Sequence, residues 1–146
     1  MRKVFKSEKG QVIVEFAICG LLFIGFVMAM VALGIWKYNV SKVEQAARIA
    51  AYNVAVTNNT NEAQQLALTY LNKTLIACPV KGAAAYGSSD NGHGVAEAYM
   101  TQLFPGYQKL IDPRGTSSVN GSIHIRREAT RAREYRFRPG SRNYFN

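Results

Sequence analysis

The stretch F16-A-I-C-G-L-L-F-I-G-F-V-M-A-M-V-A-L-G-I-W36 decides how the rest of the chain is read. Its 21 residues contain no charge and almost no polar atom. At 1.5 Å rise per residue about 20 apolar residues cross a ~30 Å hydrocarbon core. A membrane-spanning helix is therefore expected here. A cleaved secretory signal has a shorter apolar region and a small-x-small site. Cleavage after Ala32 would place Met30 at the first small position, so a cleaved signal is the less favoured reading. The whole chain has 146 residues and a mean hydropathy of only −0.10, so everything outside this run is correspondingly polar.

Charge is distributed around the run as a membrane protein requires. Arg2, Lys3, Lys6 and Lys9 precede it against Glu8, whereas Lys37 and Lys42 are the nearest bases after it. The positive-inside rule keeps the N terminus cytoplasmic and sends residues 37–146 outside. Trp36 and Tyr38 stand where interfacial aromatic residues belong.

One carboxylate interrupts the apolar pattern. The run begins at Val12, and Glu15 lies within Gln11-Val12-Ile13-Val14-Glu15-Phe16-Ala17. A carboxylate at this depth is either solvated at the headgroups or has a partner, since its burial in lipid costs several kcal/mol. Immediately upstream is the basic leader Lys6-Ser7-Glu8-Lys9-Gly10.

A basic leader ending in Gly, followed by an apolar helix with Glu at its fifth position and Phe at its sixth, resembles a type IV prepilin signal. More narrowly, Gly10-Gln11-Val12-Ile13-Val14-Glu15-Phe16-Ala17 resembles the TadE-like minor pilins of the Tad (Flp) pilus system, over roughly residues 6–55. The family commonly has a Pro after the Phe-Ala pair, where this chain reads Ile18-Cys19-Gly20. It often has an acidic residue near the end of the apolar stretch, where this chain reads Leu33-Gly34-Ile35-Trp36.

The resemblance implies cleavage between Gly10 and Gln11 by a membrane prepilin peptidase, and assembly through Glu15 and Phe16. Glu15 would neutralise the new α-amino group of Gln11 on a neighbouring subunit. The implied partners are other pilin subunits, the peptidase, the inner-membrane pilus assembly machinery and the lipid bilayer. The implied location is the inner membrane as a single-pass protein, or an extracellular pilus.

Helical signals continue past Trp36. From Lys37 to Val56 there is neither Gly nor Pro, and good helix formers dominate. Val40, Val43, Ala47, Ala50, Ala51 and Val54 recur at three and four residues and predict one buried stripe. Glu44 and Arg48 lie off it at the supporting i, i+4 spacing. One helix over about Gln11–Val56 is expected, broken at Thr57-Asn58-Asn59-Thr60-Asn61. Gly25 and Ala29 have the small-xxx-small spacing of close helix contacts.

Beyond it a second helix is expected over Glu62–Ile76, capped by Asn61 or Thr60, with Leu66, Leu68, Tyr70, Leu71 and Leu75 as its apolar content. Gly82–Gly94 reads as a surface loop. A short helix over Val95–Phe104 would be stopped by Pro105-Gly106. After an Asp112-Pro113-Arg114-Gly115 turn, Val119–Arg127 and Glu134–Arg138 alternate and predict a hairpin, with Ile123, Ile125, Tyr135 and Phe137 inward. The expected organisation is a leader over residues 1–10, a helix over 11–56 and an extracytoplasmic domain over 57–146. The class is α+β and pilin-like, ending in a C-terminal β-hairpin.

Enzyme chemistry has no support in the sequence. His93 and His124 form no zinc spacing, Asp90 and Asn91 complete no calcium loop, and no phosphate-cradling loop is present. No catalytic residue, metal or cofactor is expected. Cys19 in the apolar run and Cys78 beyond it cannot pair with each other; Cys78 is either free or paired between subunits, and a free thiol is the simpler reading. The C-terminal Arg cluster includes Arg126, Arg136 and Arg138, interleaved with aromatic residues. It suits polyanion contact, such as with DNA or an anionic surface, in an uncleaved membrane-anchored module. A solvated, subunit-contacting or lipid-headgroup face is the simpler reading, and nucleic acid is not the expected partner.

Overall fold

The structure is a computed structural model and describes residues 8–103, 106–115, 118–119 and 122–133. Seven elements follow in order: α1 (Glu8–Thr57), α2 (Thr60–Thr74), β1 (Val80–Gly87), β2 (Asn91–Met100), α3 (Tyr107–Ile111), β3 (Ser118–Val119) and β4 (Ser122–Ala132). The strands form one antiparallel sheet in the order β1-β2-β4-β3. The fold is α+β. The chain divides into two compact units, Met1–Gly34 and Ile35–Asn146.

Within the first unit α1 carries apolar residues on all sides and its large apolar side chains are exposed: Phe16 is 79% and Leu21 74% exposed. A helix hydrophobic all round belongs in an apolar environment. It is long and apolar enough to cross a membrane.

The second unit is built on the later part of α1, where Val43, Ala46, Ala47, Ala50, Ala51, Val54 and Ala55 are buried as the periodicity predicts. Arg48 and Glu44 pair on its outer side. The helix stops because Asn58 enters the left-handed region (φ 58°) while its N–H closes on Val54 O at 3.0 Å. The α2 cap is Asn59, whose side chain accepts from Glu62 N at 3.2 Å. Neither Asn61 nor Thr60 serves as the cap. The buried stripe of α2 is Ala63, Ala67 and Leu71, while Leu66 is exposed. Two of these three are alanines, which let that end of the helix lie close to its neighbours.

Two expectations are overturned together. Gly82–Gly94 is not a loop and Val95–Phe104 is not a helix: the two stretches form most of the β1–β2 hairpin. Glycine at alternate positions of a strand marks close backbone approach rather than a break. Gly92 and Gly94 face α1, and Ala96, Ala98 and Met100 continue the same buried face. The apparent helical stripe of Val95, Ala98, Tyr99 and Leu103 loses to this period of two. Downstream, Gly106 (φ 85°) is the N-cap of α3, and the fully buried Tyr107 donates to Met100 Sδ at 3.3 Å. Burial pushes the Tyr107 hydroxyl up to about 12.

The expected turn is present, with Gly115 N donating to Asp112 O at 3.1 Å. Ile123 and Ile125 point inward on β4 while Arg126 is exposed, as the alternation predicts. The long partner of β4 is β2, in register from Asn91–Ala132 to Met100–Ile123. Glu134–Arg138, the other strand of the expected hairpin, lies outside the described residues.

Candidate functional site

The N-terminal segment is described by its own contacts. Gly10 and Gln11 both lie inside α1. A Cβ on Gly10 would meet nothing within 4 Å, so packing within this chain gives no reason for glycine there. Gln11 Nε2 donates to Glu15 Oε1 at 2.9 Å, one helical turn away. Glu15 and Phe16 are exposed. The segment therefore brings the Gln11 position and the Glu15 carboxylate together and leaves Phe16 on the open helix surface.

A second polar cluster sits on the sheet face turned away from α1. Glu97 on β2 receives Lys81 Nζ at 2.9 Å from β1, with Arg126 Nε at 3.5 Å and His124 Nε2 at 3.4 Å from β4. The Lys81 hydrogen bond holds the Glu97 carboxyl below its usual range, against the opposing effect of burial. The same bond, with help from Tyr99, raises the Lys81 ammonium. Lys81 also lies 5.3 Å from the centroid of the Tyr99 ring, and that ring packs on His124 at 5.0 Å. The sequence reading missed this cluster because it assigned its three elements to a loop, a helix and a strand.

Residues 10–51 match the family model described as TadE-like protein. The N-terminal segment is TadE-like. No curated protein and no solved structure matches the chain.

The match covers Gly10, Gln11, Glu15 and Phe16, and it runs on into the buried stripe of α1. The sheet lies beyond it. Among the C-terminal arginines, Arg126 is held between Glu97 and Glu128. Arg133 donates to Asn58 at the end of α1, in space that Gly87 leaves open. Arg136 and Arg138 lie outside the described residues. Among the described residues no group of three His, Cys, Asp or Glu side chains is placed to hold a metal.

Proposed function

We propose that the chain is a pilin-type structural subunit of a Tad pilus, cleaved between Gly10 and Gln11 and assembled through the first part of α1. The carrying observation is the Glu15 carboxylate, beside the Gln11 position and the only charge from Val12 to Trp36, within the segment that matches the TadE-like model. Cleavage would leave 136 of the 146 residues and remove the basic leader, lowering the net charge from +9 to +6. The new α-amino group on Gln11 would lie within one helical turn of Glu15 on the same subunit, or face the Glu15 of a neighbour. Two opposite charges in lipid attract strongly, and each is costly alone. The exposed large apolar side chains between Val12 and Leu33 suit both lipid and the helices of other subunits. The excess of bases before the span supports a cytoplasmic N terminus, with residues 37–146 outside.

Mass-spectrometric mapping of the N terminus of the membrane form tests the reading. A start at Gln11 supports it, and an intact Met1 or a start near Leu33 refutes the processing. Glu15→Gln is expected to leave cleavage intact and to abolish incorporation into assemblies. Normal incorporation would remove Glu15 from its role.

A further inference from the structure

One end of the second unit is fixed by the place where the apolar run stops. Trp36, the last residue of that run, belongs to this unit and lines one cavity with Ile111, Asp112 and Ile123. Three residues on, and so about 4.5 Å along the helix, the Asn39 amide grips both polar groups of the Ile76 backbone. The next residue, Ala77, is left-handed (φ 49°). Its carbonyl accepts from Thr101 N at 3.2 Å and from Thr101 Oγ1 at 2.9 Å. Gln102 in turn donates to Gln108 of α3 at 3.0 Å. These bonds bring the ends of α2 and β2, together with α3, to the level of Trp36 and Asn39.

Apolar side chains are held outward at this end. Tyr38, Ile76 and Leu103 are exposed, although the Ile76–Ala77 turn is fastened from both sides. An isoleucine kept in water by a fastened turn forgoes the stabilisation that burial gives. The turn therefore suits a surface that the second unit does not itself supply.

The charges of the same end have one sign. Residues 35–42, 70–80 and 98–122 contain Lys37, Lys42, Lys73, Lys109 and Arg114 against Asp112 alone. Lys37, Lys73, Lys109 and Arg114 are exposed, and among the described residues none of the four is in an ion pair. Asp112 is half-buried and has partners of its own. Lys42 lies over the Tyr38 and Tyr70 rings, at 5.2 and 5.9 Å. The next carboxylate along the sheet, Glu97, is taken by Lys81 and Arg126. The exposed carboxylates Glu62 and Asp90 stand at the other end, by the close of α1 and the β1–β2 turn.

We infer that this end of the second unit seats on the anionic lipid headgroups of the leaflet that α1 leaves at Trp36. Ile76 and Leu103 are the apolar contacts, and Lys37, Lys109 and Arg114 the phosphate contacts. Continuity of the chain chooses this occupant. A headgroup layer is about 5–7 Å deep, so the turn gripped by Asn39 reaches it as soon as the apolar run is in hydrocarbon. The attached span also presents this end to the bilayer at an effective concentration that no free partner matches. Apolar side chains among lysines and arginines are the composition that anionic interfaces bind. The inference rests on the reading of α1 as membrane-spanning, and does not depend on cleavage at Gly10.

The test uses the full chain in vesicles of phosphatidylcholine brominated at its upper acyl carbons, alone or with an equal part of phosphatidylglycerol. Trp36 is the only tryptophan of the chain, so its quenching by the brominated lipid reports insertion of the span. In a Trp36→Phe background, Ile76→Trp and Leu103→Trp each report the seat, and Tyr86→Trp reports the opposite end. Unfolding midpoints establish that each variant folds. Quenching at 76 and 103 is expected in the anionic vesicles, with Tyr86→Trp unquenched. Adding Lys109→Glu/Arg114→Glu should lower the ratio of seated to unseated protein at least about tenfold, the scale of two bases near an anionic surface. Salt raised from about 50 to about 300 mM should act in the same direction, because exposed charges are screened. Quenching of Trp36 with none at 76 and 103 overturns the inference and leaves the span in place. Absence of quenching at Trp36 overturns the span, and the inference with it. Equal quenching in both kinds of vesicle, or quenching indifferent to Lys109→Glu/Arg114→Glu, reduces the contact to proximity and overturns headgroup recognition. Shielding of 76 and 103 from iodide without quenching by lipid, growing with the protein-to-lipid ratio, assigns the face to a second copy and overturns it as well.

Discussion

A methyl group on Gly94 would stand 2.1 Å from the carbonyl oxygen of Ala47. The nearest other atoms would be Ala51 N at 2.5 Å and Ala50 Cβ at 2.8 Å, so the obstacle is the backbone of α1 and not a movable side chain. Helix and strand touch at this point, and only glycine permits the contact. Gly94→Ala is therefore expected to destabilise the second unit by at least the ~1–3 kcal/mol of an overpacked core. Gly82→Ala, in open space on β1, should change stability little. Denaturant midpoints of the two variants in detergent decide the matter, and equal midpoints would contradict the close contact.

Asn39 is fully buried, and its amide forms a two-way clamp on Ile76. Nδ2 donates to Ile76 O at 2.8 Å, and Ile76 N donates to Oδ1 at 3.1 Å. The clamp fastens the segment that leads from α2 into β1 onto α1. Asn39→Leu has similar volume but leaves an N–H and a C=O without partners, at about 1–3 kcal/mol each. The expected loss is about 2–6 kcal/mol, with amide exchange at Ile76 accelerated more than at Leu71. Unchanged exchange at Ile76 would show that the clamp does not restrain it.

The legible parts of the sequence were those in which one period has no rival. Phe16–Trp36 is apolar at every position, and the stripe from Val43 to Val54 is closed by Asn58 and Asn59. Glu15 stood out because a single charge in lipid is costly, and Ile123 and Ile125 because their neighbours are His124 and Arg126. Gly82–Gly94 was misread because glycine carries two opposite meanings, a turn and a close approach. Only the position of Ala47 and Ala51 against Gly92 and Gly94 separates them. Once β2 was missed, the Glu97 cluster and the true partner of β4 were out of reach. Asn39 gave no signal, since a polar residue on a helix usually faces water.

The charge pair at Glu97 sets a pH window for stability. Its carboxyl is depressed in the folded state, so its contribution is present above the unfolded value near 4.5 and is lost as pH falls through the lower folded value. Lys81 is raised, so its contribution is present below 10.5 and is lost as pH climbs through the higher folded value. Both are charged between those limits. Glu97→Gln is expected to lower the unfolding midpoint at pH 7 and to have much less effect near pH 3. A pH-independent difference between the two proteins would assign the effect to packing.

Burial raises the Cys78 thiol to about 11. The thiolate is the reactive form, so at pH 8 only about a thousandth of this side chain is nucleophilic, against roughly a quarter for an ordinary cysteine. In a Cys19→Ser background, iodoacetamide should modify native Cys78 at least about a hundredfold more slowly than the urea-unfolded chain. Raising the pH from 8 to 9 should speed the native reaction about tenfold if it proceeds through the buried thiolate. A rate unaffected by urea would mean that Cys78 is open to solvent in the folded protein. A disulfide-linked dimer under native conditions would show the same and would put the residue at a subunit contact.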